Sequence, residues 1–223
     1  MNIDQIYYRD GASLPLSRKL MRLARERMYG LFVSELEPDP STRILDFGVS
    51  DQENDEANML ERLYPYPERI TCAGLGQGWA VTSAYPGITY VRVAAGEPMP
   101  FDDKSFDVIC SNAVMEHMGG AEGRQFFLRE ALRVARRAFI TVPNRWFPLE
   151  HHTGIPLVHF SPYLFRLLLR RTSLAYWSRP ENLDFLDRRT LAREWPLAGY
   201  DVKLVPTGIP LGPLSSNVAL IVK

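Results

Sequence analysis

The sequence predicts an α/β fold: one doubly wound, mainly parallel sheet of seven strands that finishes in a C-terminal antiparallel pair. Three observations carry the prediction. From residue 43 to 142, short apolar runs alternate with segments of helical periodicity. One of those runs, Phe106–Ser111, is almost continuously apolar, as a strand covered on both faces must be. The stretch Arg43-Ile44-Leu45-Asp46-Phe47-Gly48-Val49-Ser50-Asp51 is an apolar strand that ends in an acid and a glycine and turns at once into a polar segment. Open α/β sheets begin in this way, and their ligands bind beyond the carboxyl ends of the strands. Asp46 and Gly48 therefore stand where a small molecule would be held.

The elements follow in order. Residues 1–17 read as irregular, with Tyr7, Tyr8 and Arg9 as the notable side chains. Ser17 is placed to cap a helix over about 18–36, with Leu20, Leu23, Ala24, Met28, Leu31 and Phe32 on one face. Glu37-Pro38-Asp39-Pro40 ends it, and the first strand is Ile44–Phe47. Asp51–Tyr64 reads as the next helix, closed by Pro65 and Pro67. Strands are predicted at Ile70–Leu75, Tyr90–Val93, Phe106–Ser111 and Ala138–Val142, with a weakly helical stretch at Trp79–Tyr85 and a helix at Glu122–Arg136. Ser161-Pro162 opens a helix to about Arg171, a serine cap with proline in the first turn. A short helix covers Arg188–Trp195. Asp201–Pro206 and Asn217–Val222 form the closing strand pair, joined by a Gly/Pro-rich loop. Residues 1–223 read as one domain, with a helical cover at 1–40 and a substrate-side cover at 144–195.

Bulk properties bound the function. The 223 residues carry 26 basic and 26 acidic side chains, a formal net charge of zero, which argues against a nucleic-acid partner. Charged residues make up 23% and hydrophobic ones 46%, the composition of an ordinary globular domain with a full core. Cys72 and Cys110 fall in apolar strand runs and read as buried free thiols in a reducing compartment. Neither a signal peptide nor an apolar run of membrane-spanning length is evident, so the expected location is cytoplasmic.

A glycine turn after a first strand can hold a pyrophosphate on helix amides. Here Gly48 is alone, and Asp51, Glu53, Asp55 and Glu56 crowd the expected helix start, where they would repel phosphate. A neutral or cationic nucleoside-like ligand suits the turn better.

Four stretches in order carry a likeness to a known family: Ile44-Leu45-Asp46-Phe47-Gly48, the run from Gly96-Glu97-Pro98 through Pro100-Phe101 to Ser105-Phe106-Asp107-Val108-Ile109, Ser111-Asn112-Ala113-Val114-Met115-Glu116-His117, and Val142-Pro143-Asn144-Arg145-Trp146-Phe147-Pro148. With these the sequence resembles the class I S-adenosylmethionine-dependent methyltransferases of the type 11 group, strongly over about 40–150. The resemblance implies a Rossmann-like fold and S-adenosylmethionine as cofactor. It implies that Gly48 admits the methionine part and that Asp46 organises the loop and meets the cofactor's amino group. Ser111 and Asn112 would line the pocket with His117 nearby, and Gly96 and Glu97 would lie beside the adenine.

Three positions depart from the family pattern. Ser50 stands where a second glycine is common. Gly76 takes the place of the acid that grips the ribose, and Ala95 that of the acid near the adenine amino group. A hydrogen bond to a charged group contributes about 1.5–3 kcal/mol, so the two missing acids lower the expected affinity unless a neighbour such as Gln77 or Asp51 substitutes.

Glu116-His117 lacks a third ligand at helical spacing, and Glu150-His151-His152 with His159 reads as a polar loop, so no metal site is expected. No catalytic residue is identified; His117 is the first candidate if the acceptor must lose a proton. The function read from the sequence is methyl transfer to a small-molecule, glycan or lipid-linked acceptor. The apolar Trp146–Arg171 stretch, ending in Arg170-Arg171, is the part that would make a peripheral membrane contact. The alternative is a binding or scaffold protein that keeps the fold but has lost cofactor affinity.

Overall fold

In a computed structural model, which describes residues 15–52, 58–194 and 199–223, seven strands form one sheet. They are β1 Ile44–Phe47, β2 Ile70–Gly74, β3 Thr89–Arg92, β4 Phe106–Asn112, β5 Ala135–Pro143, β6 Val202–Leu211 and β7 Leu214–Val222. Their order is β3-β2-β1-β4-β5-β7-β6. β1, β2, β3, β4 and β5 pair in parallel, and β7 runs antiparallel to both β5 and β6. The helices are α1 Pro15–Leu36, α2 Met59–Leu63, α3 Trp79–Ala84, α4 Ala121–Val134, α5 Pro162–Leu169 and α6 Arg188–Glu194.

Two hydrophobic layers sandwich the sheet. One joins α4 to the sheet through Phe127, Leu128, Ala131 and Leu132 against Ile109, Ile140 and Leu220. The other joins α1 and α2 through Met28, Phe32, Leu36, Met59 and Leu60 against Ile44, Val108, Phe139 and Ile221. Ile109 and Val108 serve opposite layers, which is why β4 reads as continuously apolar. A third, separate cluster of Phe165, Leu169, Trp177 and Leu183 lies within the cover.

Most expected elements stand within a residue or two of their predicted bounds. The differences have physical causes. α1 is described from Pro15, so Ser17 lies inside the helix instead of capping it. Ala24, Met28, Phe32 and Leu36 form its buried stripe, while Leu20 and Leu23 remain 42% and 39% exposed. Of the helix expected over 51–64, the described residues show Met59–Leu63; 53–57 lie outside them, and Asp51 is not helical. The helix expected to reach Arg136 stops at Val134, because Ala135 already pairs with Phe106 in β5. Much of the Gly/Pro-rich stretch after Pro206 is strand. Pro206 and Pro210 are tolerated because β6 is an edge strand, and the register shifts between Thr207 and Pro210, where Gly208 takes φ +78°. Tyr7, Tyr8, Arg9, Glu53, Asp55 and Glu56 lie outside the described residues.

Ser161 caps α5 as expected, its Oγ accepting from the Leu164 amide at 3.3 Å. The cover is tied to α4 by Arg124, whose Nε and Nη2 donate to Glu194 at 2.7 and 2.5 Å and whose Nη1 pairs with Asp184. The outer face of α5 is apolar and solvent-facing at Tyr163, Leu164, Leu167 and Leu168. Among the described residues no helix is long and apolar enough to cross a membrane.

Candidate active site

A cavity of about 950 Å³ opens at the carboxyl ends of β1, β2 and β4 and is roofed by the first turns of α1 and by the 144–185 segment. Its volume is at the upper end of the range for small-molecule sites. Asp46, Gly48, Ser50, Gly96, Glu97, Asn112 and His117 line it; Gly76 and Ser111 do not. The Gly76 carbonyl accepts from the Tyr90 hydroxyl at 3.0 Å. Ser111 Oγ donates to the Phe47 carbonyl at 2.8 Å, tying β4 to β1.

The turn after β1 is shaped by the backbone. The Gly48 and Val49 amides both donate to the Ala73 carbonyl, at 2.8 and 3.2 Å. Gly48 adopts φ +92°, and a Cβ there would stand 2.1 Å from Val114 Cγ2. Val114 reaches this place because the chain leaves β4 through Ala113 in the left-handed region, at φ +55°. Asn58 closes the turn with paired bonds to the Ser50 amide (3.0 Å) and carbonyl (2.8 Å), while Ser50 Oγ is buried with no partner among the described residues.

Asp51 does not lie free beside the cavity. Its carboxylate accepts from the Gly78, Ala80 and Val81 amides at 2.6, 2.8 and 3.2 Å and so holds the start of α3. Asp51 is not among the residues that line the cavity. Gln77, the other substitute considered from sequence, is exposed and off the cavity wall.

Beneath the turn, Asp46 is 5% exposed, and burial followed by the neighbouring Glu61 carboxyl raises its pKa well above the usual carboxylate range. Glu61 in turn accepts from Cys72 Sγ at 2.9 Å. The charge of Arg25, buried in α1 and lining the cavity, acts on Asp46 in the opposite direction.

On the far side of the cavity, two distant segments meet. Glu116 and His117 form a one-turn 3-10 helix after β4, and Glu150–Ile155 forms a tight loop in the cover. His117 Nδ1 lies 2.7 Å from the Asn182 carbonyl, and its Nε2 lies 3.1 Å from His152 Nε2. His152 Nδ1 lies 3.0 Å from Glu150 Oε1, and the Thr153 amide and hydroxyl hold the other Glu150 oxygen at 2.7 and 2.6 Å. Trp177 packs on His152 with ring centroids 4.8 Å apart.

Burial pushes the Glu116 carboxyl up to about 7 against the pull of His152. Burial and the charge of His152 push His117 down to about 3, which makes His117 a weak base. Burial also lowers His152, but the hydrogen bond and charge of Glu150 outweigh it and its pKa is raised.

Sequence reasoning placed the strand-end residues and missed Arg25, Glu61 and the convergence of His152 on Glu116-His117. The Glu150-His151-His152 run was a visible signal, but nothing local ties it to residues 35 positions away.

The mixed seven-stranded sheet agrees with the comparisons to known proteins. Residues 67–138 match a family model described as "Methyltransferase domain". The fold is that of the class I methyltransferases. An S-adenosylmethionine-dependent methyltransferase from Thermotoga maritima superposes with a TM-score of 0.56 at 15% identity, over 92% of this chain and 91% of that one. One from Aquifex aeolicus gives 0.53 at 14% identity, with the same coverage. The CurJ carbon methyltransferase gives 0.57 at 14% identity, over 98% of this chain and 56% of that one. No curated protein matches the sequence. These findings do not favour the scaffold alternative, and the acceptor is not identified by them.

Proposed function

We propose that the chain is an S-adenosylmethionine-dependent methyltransferase whose cofactor and acceptor share the cavity above β1 and β4. The observation that carries this reading is the buried Arg25, which lines the same cavity as Asp46. Among the described residues no carboxylate forms an ion pair with Arg25, whose Nη1 donates to Met28 Sδ at 3.6 Å. A buried cation and a buried acid lining one cavity offer separate partners for the carboxylate and the ammonium of an amino-acid end. Ser50 Oγ adds an unused hydrogen-bonding group on the same wall. At the other end Gly96 has φ +78° and nothing within 4 Å of where its Cβ would be, leaving open space beside Glu97 for a nucleoside. This donor set fits S-adenosylmethionine, with Glu97 taking the part of the acids absent at Gly76 and Ala95.

The cofactor supplies an electrophilic methyl group on its sulfonium. The residues of the chain bind, orient and exclude water. Arg25 and Asp46 fix the amino-acid end, the Gly48–Ser50 turn shapes the floor, and the cover closes the cavity around the acceptor. The acceptor is a small molecule, a glycan or a lipid-linked compound; the apolar outer face of α5 suits the last of these at a membrane surface.

Calorimetric titration with S-adenosylmethionine and S-adenosylhomocysteine tests the reading. Micromolar binding that weakens at least about tenfold in Arg25→Gln is expected, one charge-assisted contact being of that order. No binding at millimolar ligand overturns it.

A further inference from the structure

We propose that Glu116, His117 and His152 form a binding site for a divalent first-row metal ion of the kind that favours imidazole ligands, with Zn²⁺ as the reference case. The three side chains offer ligand atoms that all lie within 4.8 Å of one another. The two Nε2 atoms are 3.1 Å apart, and Glu116 Oε1 is 3.8 Å from His152 Nε2 and 4.0 Å from His117 Nε2. Ligands at 2.0–2.1 Å in a tetrahedron stand roughly 3.3–3.4 Å from one another. The two nitrogens are already near that spacing, and the carboxylate has to close by only about 0.5 Å.

The partners behind the rings fix which nitrogen faces inward. A backbone carbonyl only accepts, so His117 Nδ1 carries a proton toward Asn182 and leaves Nε2 as the lone-pair nitrogen. The Glu150 carboxylate imposes the same state on His152 through Nδ1. Both rings thus present Nε2 to one point, each backed by an oxygen acceptor, which is the arrangement that orients histidine ligands around metals. The remaining member supplies the independent observation. Glu116 is 1% exposed, and among the described residues neither of its oxygens has a hydrogen-bond partner. A buried carboxylate without a donor is costly. A proton shared between the two imidazoles leaves it without one, whereas a cation between the three groups satisfies it. Glu116, His117 and His152 all line the cavity, so a fourth coordination position opens on it.

The test titrates the full chain, stripped with a chelator, with Zn²⁺ alone. Expected are one equivalent bound at micromolar affinity or tighter, a rise in unfolding temperature, and at least a 100-fold loss of affinity in His117→Ala and in His152→Ala. Glu116→Gln is expected to lose 10- to 100-fold, and His159→Gln, outside the cluster, to bind as the parent does. No saturable binding, or one equivalent that is indifferent to both histidine substitutions, overturns the proposal. If a variant fails to fold, anomalous diffraction from zinc-soaked parent crystals decides: a peak between the three side chains supports the site, and no peak there overturns it. Cofactor binding is titrated separately in chelator, so failure of the metal site and failure of the methyltransferase reading are distinguishable.

Discussion

The two walls of the cavity are built by different means. The strand-end wall comes from short contiguous stretches, Asp46–Ser50 and Ala94–Glu97, and is shaped mainly by backbone: amides on the Ala73 carbonyl and left-handed glycines at 48 and 96. The cover wall is assembled from residues 116–117, 150–153 and 182, far apart in sequence, and is shaped by side chains that hold one another. The first wall comes with the fold. The second exists only once the cover has docked.

Substitutions can break this contrast at three points. The largest effect is expected at Arg124, which ties Asp184 and Glu194 of the cover to α4. Arg124→Met leaves two partly buried carboxylates unpaired and should cost about 3 kcal/mol or more. Denaturant unfolding measures the loss, and an unchanged midpoint would show that the cover docks without this link. Next is Gly48→Ala, which combines a left-handed φ with a 2.1 Å approach to Val114; a loss of about 2–3 kcal/mol is expected. Adding Val114→Ala should recover the steric share and leave the conformational share, so full recovery or none in the double variant would contradict the geometry. The smallest is Asp51→Ala, which removes the carboxylate at the start of α3 and should cost about 1–2 kcal/mol with little change in S-adenosylmethionine affinity. The reverse result, unchanged stability with weakened cofactor binding, would return Asp51 to the role of ribose anchor.

The same contrast explains what the sequence disclosed. Strands were legible because burial on both faces forces apolar runs such as Val108–Cys110, and the β1 turn because an acid and a glycine must sit together there. Asp51 reads in sequence as the start of the next helix, whereas its carboxylate serves a helix that begins 28 residues later. The strand pair was read too short because proline on an edge strand is indistinguishable, in sequence, from proline in a loop. Arg25 was hidden because a cation within a helix reads as solvated surface unless the neighbouring cavity is known. His152 was visible as a residue but not as a partner of His117, since side-chain convergence across a docked cover leaves no periodic trace.

The two cysteines have a practical consequence. Cys72 and Cys110 are fully buried within the sheet, and burial, with the acids Glu61 and Asp46 nearby, drives both thiols far above their usual range. Neither presents a thiolate to solvent in the folded protein. Alkylating and fluorescent maleimide reagents should therefore leave the native chain untouched and label a cysteine introduced at an exposed site such as Trp79 or Tyr163 alone. Cover and sheet can each be given a reporter without first removing a native residue. Slow labelling of the parent would then register the moments when the sheet itself comes open.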